Sequence, residues 1–385
     1  MAIYLAHLWL KQYAMKYRLA SLSFAAVMLW LAVVSFTNSS VPEEKPRNII
    51  LMIGDGMGLS QLSSAFYYGN GEPNFARFPI VGLSRTSASS DKITDSAAGA
   101  TALSTGKKTY NGAIGVDAKK KSVETLIEYF AAKGLSNGLV ATSSITHATP
   151  ASFYAHVKKR KMQDEIAEHL VQSNVDFFAG GGQKFFKIGE GDNDLTEMLR
   201  AKDFVINTQK LDVELPYNNA NKYGYLLAKD GMPTMENDRG DFLKRASLLA
   251  LECLSKNEKG FFLVIEGSQI DWGGHANNAS YVISETLDFD QTVGAVLDFA
   301  KEDGNTLVIV TADHETGGFT LKAKLKKVPF GGSKPDYDEI DPSFSTGGHS
   351  AALVPVLAYG PGAEMFSGIY QNTAIHQKIV RLSSP

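Results

Sequence analysis

Two kinds of apolar pattern alternate along the chain. Short runs rich in β-branched and aromatic residues, at 48–53, 138–142, 175–179, 261–265, 306–311 and 353–359, lack a polar residue at every second position and so predict strands buried on both faces. Between them, 123–133, 163–173, 241–255 and 281–301 repeat their apolar positions at the helical period, with Ser122 as the expected cap of the first and Gly134 just past its end. Strand and helix taking turns predict an α/β fold: one large domain, a mostly parallel central sheet, helices on both faces. No internal repeat interrupts the pattern. Segments 211–240 and 322–345 are polar and rich in Gly, Pro and Asp, so surface excursions are expected there.

The start of the chain follows a different pattern. Lys11, Lys16 and Arg18 precede an apolar stretch over 19–36 broken only by Ser21, Ser23 and Ser35. This reads as a secretory signal, cut near Ser35 and Thr37; the unbroken run 24–34 is short for a membrane span, and an uncleaved anchor is the competing reading. The expected division is a signal at 1–37, a linker at 38–47 and a catalytic domain at 48–385, in an exported protein, periplasmic or secreted.

Composition narrows the chemistry. With 38 basic and 41 acidic side chains the formal net charge is −3, and the chain lacks the overall basic field that nucleic-acid backbones require. Cys253 is the only cysteine, which excludes an intrachain disulfide and a thiolate zinc cluster. Any metal must sit on His, Asp and Glu.

Three predicted strands run directly into a carboxylate, at Asp55, Glu266 and Asp313. In a parallel sheet those ends share one edge, where ligand sites of open α/β sheets form. Crowded carboxylates repel unless cations neutralise them, although each alone is equally a helix cap or turn former. Histidines add to the pattern: His275 follows Glu266 and Asp271, His314 adjoins Asp313, and His349 lies in GGHS. Neutral imidazole with carboxylate oxygen is what zinc takes when cysteine is absent. His156, His169 and His376 read as structural, as does the glycine-rich run at 179–183, which lacks the GK[ST] of a phosphate-binding loop. The lysines at 119–121 read as solvated surface.

Ser96 follows Asp95 and opens a small-residue helix, so its hydroxyl is expected among amides that favour an anion. A serine there is by default an N-cap. GxSxG is absent and no histidine is adjacent, so a nucleophilic Ser96 needs a metal in place of a general base.

The motifs IGDGMG, TDSAAGATA, EGSQIDWGGH, TADHETGG and STGGHS occur in the order and spacing of the alkaline phosphatases, and from Asn48 nearly to its end the chain resembles that family. The resemblance implies two zinc ions and one magnesium per subunit. Asp271, His275 and His349 would hold the first zinc, and Asp313, His314, Asp55 and the Ser96 oxygen the second. Asp55 would also reach a magnesium completed by Thr149, Glu266 and waters, hard oxygens suited to an octahedron. Arg160 matches the phosphate-clamping arginine, with Asp95 orienting it; a planar fork suits two phosphate oxygens, whereas the local alternative is a solvated end to a basic helix patch with Lys158, Lys159 and Lys161. The implied reaction is hydrolysis of phosphate monoesters of broad range through a phosphoserine at Ser96, releasing an alcohol and inorganic phosphate, the latter also an inhibitor. A homodimer is implied as well, with the crown insertion reduced because the connection from His314 to His349 is short.

Two positions depart from the enterobacterial pattern, which has Asp and Lys where His147 and Trp272 stand. His147 lies near the implied magnesium, as a partner of a metal water or as a ligand itself, and predicts weaker magnesium selectivity. Trp272 takes the place of a cation, which predicts faster phosphate release; ordinary packing is the alternative. A sulfatase would need a C/S-x-P-x-R context, but Ser96 is followed by Ala97, Ala98 and Gly99. A diesterase would lack the third metal set, yet Thr149 and Glu266 are present, and a binding protein without chemistry would not need both Ser96 and Arg160.

Overall fold

Strand β1, Asn48–Gly54, offers neither face to water: Ile49, Leu51 and Ile53 enter one apolar layer and Ile50 and Met52 the other. Its period of two therefore separates two cores rather than core from solvent. The computed structural model describes residues 1, 3–16, 45–211, 222–329 and 331–383. It divides into Met1–Glu44 and Lys45–Pro385. In the first unit a helix over 3–16 has exposed side chains. The apolar stretch 19–36, the expected cut and most of the expected linker lie outside the described residues. No described helix is long and apolar enough to cross a membrane.

In the second unit β2 is Ile80–Arg85, β3 Ser136–Ser144, β4 Phe177–Gly181, β5 Phe204–Asn207, β6 Lys222–Leu226, β7 Phe261–Gly267 and β8 Thr306–Thr311. Then follow β9 Glu315–Thr316, β10 Thr320–Lys327, β11 Ser333–Ser343, β12 His349–Ser350, β13 Val354–Tyr359 and β14 Gly368–Gln371. Ten of these form one sheet in the order β14-β2-β13-β8-β1-β7-β3-β4-β6-β5. Only β13 runs against the others, pairing antiparallel with both β2 and β8. Helices cover both faces, with the 25-residue helix Ala279–Asp303 and Phe242–Leu254 on one side and Ser96–Thr105 and Leu126–Ala132 on the other. The α/β expectation with a mostly parallel sheet holds.

Local boundaries differ where capping chemistry decides. The helix expected from residue 123 starts at Leu126, because Thr125 rather than Ser122 accepts from the Glu128 amide while the Glu128 carboxylate accepts from the Thr125 amide. This reciprocal pair satisfies two otherwise orphaned donors.

The expected excursion at 211–240 is only partly one. It contains β6, a strand of the main sheet whose Tyr223 and Tyr225 are buried, the latter beside the Phe177 ring. Gly224 within it leaves room for the Phe178 ring, whose Cζ would stand 2.3 Å from an added Cβ. Further on, Arg239 is buried and pairs with Glu285 and Asp288 of the long helix, which fixes this connection to the body of the unit. The excursion expected at 322–345 is exposed: β10 and β11 form a separate hairpin carrying Lys322, Lys324 and Lys326 opposite Asp341, Glu339 and Asp336.

Candidate active site and metal centre

Strands β8, β1 and β7 lie side by side and parallel, with Ile53 opposite both Glu266 and Thr311. Asp55, Glu266 and Asp313 therefore reach one edge of the sheet, as the pattern of strand ends predicts, and all three are fully buried. The register does this work, since residues 257 apart become hydrogen-bonded when the Gly56 amide donates to Asp313 Oδ1 at 3.2 Å.

Around these acids the sequence candidates converge. His314 Nε2 stands 3.3 Å from Asp313 Oδ2, 3.4 Å from Asp55 Oδ1 and 3.3 Å from Ser96 Oγ. Thr149 Oγ1 donates to Asp55 Oδ2 at 3.3 Å, and Ser143 donates to Glu266. Asp271, on the short helix Gln269–His275, lies 3.4 Å from His275 Nε2 and 3.5 Å from His349 Nε2. Three groupings could hold a cation: Asp271 with His314 and His349, Asp55 with Asp313 and His314, and Asp55 with Glu266 and His147. His314 thus enters two of them, and His147 is grouped with Asp55 and Glu266. His275 is the most exposed candidate, its side chain 43% accessible.

Several observations show that this nest suits cations. His275 Nδ1 faces Gly347 O and His349 Nδ1 faces Thr94 O, each at 2.8 Å, so both rings spend their proton on a carbonyl. With both rings neutral, their Nε2 atoms, 3.1 Å apart beside Asp271, would be the lone pairs offered to a cation. Glu266 Oε1 and Asp313 Oδ2 are buried acceptors with no hydrogen-bond partner. Orphaned buried acceptors are costly, and a metal ion removes the cost. Burial first, then the charges of Asp313, Asp271 and Glu266, push the Asp55 carboxyl well above its usual range. Burial likewise takes Glu266 up to about 7 and Asp313 up to about 6. Burial and the neighbouring His349 lower His314 to about 3, which keeps the ring neutral, the form that ligates metal.

Ser96 is the first residue of its helix, not the cap. Asp95 is the cap, its Oδ1 accepting from the Ala98 amide at 3.0 Å, and this frees the Ser96 hydroxyl to face Asp55 and His314. The helix sits close because residue 99 is glycine: an added Cβ would meet Asp313 Cβ and O at 3.0 Å.

Arg160 does not end a helix. A bridge between Ile114 and Val157 and the bond from the Arg160 amide to Gly112 O hold it in a turn. From there Nη1 meets Asp95 Oδ2 at 3.1 Å and Nη2 donates to His147 Nε2 at 3.1 Å. Lys158, Lys159 and Lys161 beside it are exposed. Trp272, half-buried, packs edge-on against His147 at 6.0 Å, with Gly231 against the ring.

The histidines read as structural stay apart from this centre: His156 pairs with Glu128, His169 stands beside His156, and His376 lies against Gly106. Sequence reasoning passed over Thr316 and Ser143. The one available signal for Thr316 was its place two residues after His314.

The profile of a family described as alkaline phosphatase matches residues 46–337. Alkaline phosphatase 3 of Bacillus subtilis is 32% identical over 92% of this chain and 95% of its own length. The alkaline phosphatase of Escherichia coli is 33% identical over 87% of this chain and 85% of its own. Among solved structures, the alkaline phosphatase of the Antarctic bacterium TAB5 superposes with a TM-score of 0.85 at 54% identity, over 88% of this chain and 98% of that one. On these grounds the chain belongs to the alkaline phosphatase family and is a metal-dependent hydrolase of phosphate monoesters.

Proposed function

We propose that the enzyme works through a covalent phosphoserine at Ser96, over a broad range of monoesters, with two zinc ions and one magnesium. The observation that carries this is the placement of Ser96: a buried hydroxyl at a helix start, within hydrogen-bond reach of Asp55 and of the neutral His314 ring. Asp271, His275 and His349 would hold the first zinc, Asp55, Asp313, His314 and Ser96 the second, and Asp55, Thr149 and Glu266 the magnesium. Bound there, the metals would supply the positive charge that keeps the Ser96 oxygen ionised at neutral pH and offsets charge on the transferring phosphoryl group.

Arg160 would fork onto two phosphate oxygens, held in register by Asp95 on one nitrogen and His147 on the other. The Ser96 oxygen then forms a bond to phosphorus while the bond to the alcohol oxygen breaks, and that oxygen leaves with the electron pair and takes up a proton. Water attacks the phosphoserine in turn, returning the serine oxygen and releasing inorganic phosphate, which competes with substrate for Arg160. Acid quenching during turnover of labelled p-nitrophenyl phosphate should trap label on Ser96, and recovery of unlabelled enzyme at every time point counts against the intermediate. The bis-ester should be hydrolysed far more slowly, and a chelator should abolish both activities.

His147 supports a second reading, of the third site only. An imidazole beside Asp55 and Glu266 favours softer ions than magnesium, and to ligate one through either nitrogen the His147 ring would release Arg160 Nη2. A mutant of the TAB5 enzyme was solved with Mg bound in a site named M3. Dialysis against mixed ions should leave zinc or cobalt in part of the third sites here and less of it in His147→Asp; strict magnesium in both rejects the idea. Residues 1–37 are read as an export leader, 48–385 as the catalytic domain, and the assembly as a homodimer.

A further inference from the structure

We infer that Thr316 is a positioning residue that ties the two zinc ligand sets together and fixes the tautomer of His314. Thr316 is completely buried on β9. Its Oγ1 lies 2.5 Å from Asp271 Oδ1 and 3.2 Å from His314 Nδ1. A hydroxyl has one proton, and an ionised carboxylate only accepts, so that proton goes to Asp271. The contact with His314 then requires the ring to donate from Nδ1. His314 Nε2 is left as a bare lone pair facing Ser96, Asp55 and Asp313, the form a metal needs.

One hydroxyl thereby orders a ligand assigned to the first zinc and a ligand assigned to the second. The backbone of the same residue extends the tie. The Thr316 amide donates to Gly56 O at 3.1 Å, next to Asp55, and Thr316 pairs with His349 across the β9–β12 ladder. Thr316 thus touches the segments that carry Asp55, Asp271, His314 and His349. Hydrogen bonds that orient ligands typically carry about 10- to 100-fold in metal affinity.

The inference rests on the zinc assignment above, and the test separates the two. Thr316→Val keeps the shape and removes the hydroxyl; Thr316→Ser keeps the hydroxyl and removes the methyl. Metal-free parent and variants are labelled with 15N-histidine and then titrated with zinc alone. The parent should show His314 protonated at Nδ1, and the serine variant should match it in tautomer and zinc affinity. The valine variant should bind zinc about 10- to 100-fold more weakly and regain kcat as zinc is raised. Parent-like zinc affinity in Thr316→Val, or His314 protonated at Nε2 in the metal-free parent, overturns the inference. If Thr316→Val does not fold, the parent tautomer and the serine variant still decide. A parent that binds no zinc overturns the metal assignment itself.

Discussion

At the scale of single residues, the centre is decided by which atom holds each proton. Asp95 relieves Ser96 of capping and so leaves its hydroxyl free for the proposed attack, and Arg160 is directional because Asp95 and His147 each claim one of its nitrogens. Ser96→Ala should therefore keep its metals and lose kcat by about three orders of magnitude or more, read as turnover alongside zinc content. Parent-like turnover would remove Ser96 from the chemistry. The same logic explains which residues were readable in advance. Asp55, Glu266 and Asp313 stood out because strand runs end at them. Thr316 did not, since nothing in a threonine's neighbours along the chain says that it will meet Asp271.

At the scale of elements, packing sets how near two segments of the candidate site approach. The helix Ser96–Thr105 rests on the segment after β8 through Gly99. Gly99→Val should push Asp313 aside, costing about 1–3 kcal/mol in a denaturant melt and weakening zinc binding. A variant with parent-like stability and metal content would show that the segment yields freely.

The helix Leu126–Ala132 is tied to the turn bearing Arg160 by His156, whose Nδ1 faces Gly115 O at 2.6 Å and whose Nε2 meets Glu128 at 3.0 Å. Burial alone would lower the His156 pKa, but Glu128 and Gly115 outweigh it and raise it above 6.5. Glu128, despite partial burial, is held below its ordinary 4.5 by His156 and Thr125. His169 faces the pair, with Glu165 and Glu168 close to it. A raised imidazole stabilises fully below its unfolded pKa and loses that contribution as pH rises through the folded one, while a lowered carboxylate contributes above its own unfolded value. The stability difference between parent and His156→Gln should thus be largest between about pH 4.5 and 6.5 and shrink toward pH 9. A difference that grows with pH would contradict the ion pair.

At the scale of the whole molecule, two buried charge clusters sit in one unit and behave oppositely. Arg239 meets Glu285 and Asp288 with every side chain at most 4% accessible, a cluster that neutralises itself in part. Arg239→Leu should cost about 3–5 kcal/mol, measured as a fall in thermal midpoint, because it strands two carboxylates. In the metal centre no lysine or arginine among the described residues forms an ion pair with Asp55, Glu266 or Asp313; only the neutral His314 ring adjoins Asp55 and Asp313. Chelation should lower the midpoint, and restoring zinc at about a hundredfold excess over its dissociation constant should return about 2.7 kcal/mol. An unchanged melt on chelation would mean that the acids are neutralised by protons instead.

The chain by itself determined the kinds of element, their order, and the types of chemistry at their ends. Apolar periodicity, capping residues and strand-terminal acids are local properties, so they survive in a bare sequence. Strand order, and with it the seating of Asp55 beside Asp313, was decided by the tertiary structure, as were β6 inside a stretch that looks like loop and the Thr316 link. These depend on which distant surfaces bury each other best, and a pattern confined to a few neighbouring residues carries no record of that choice.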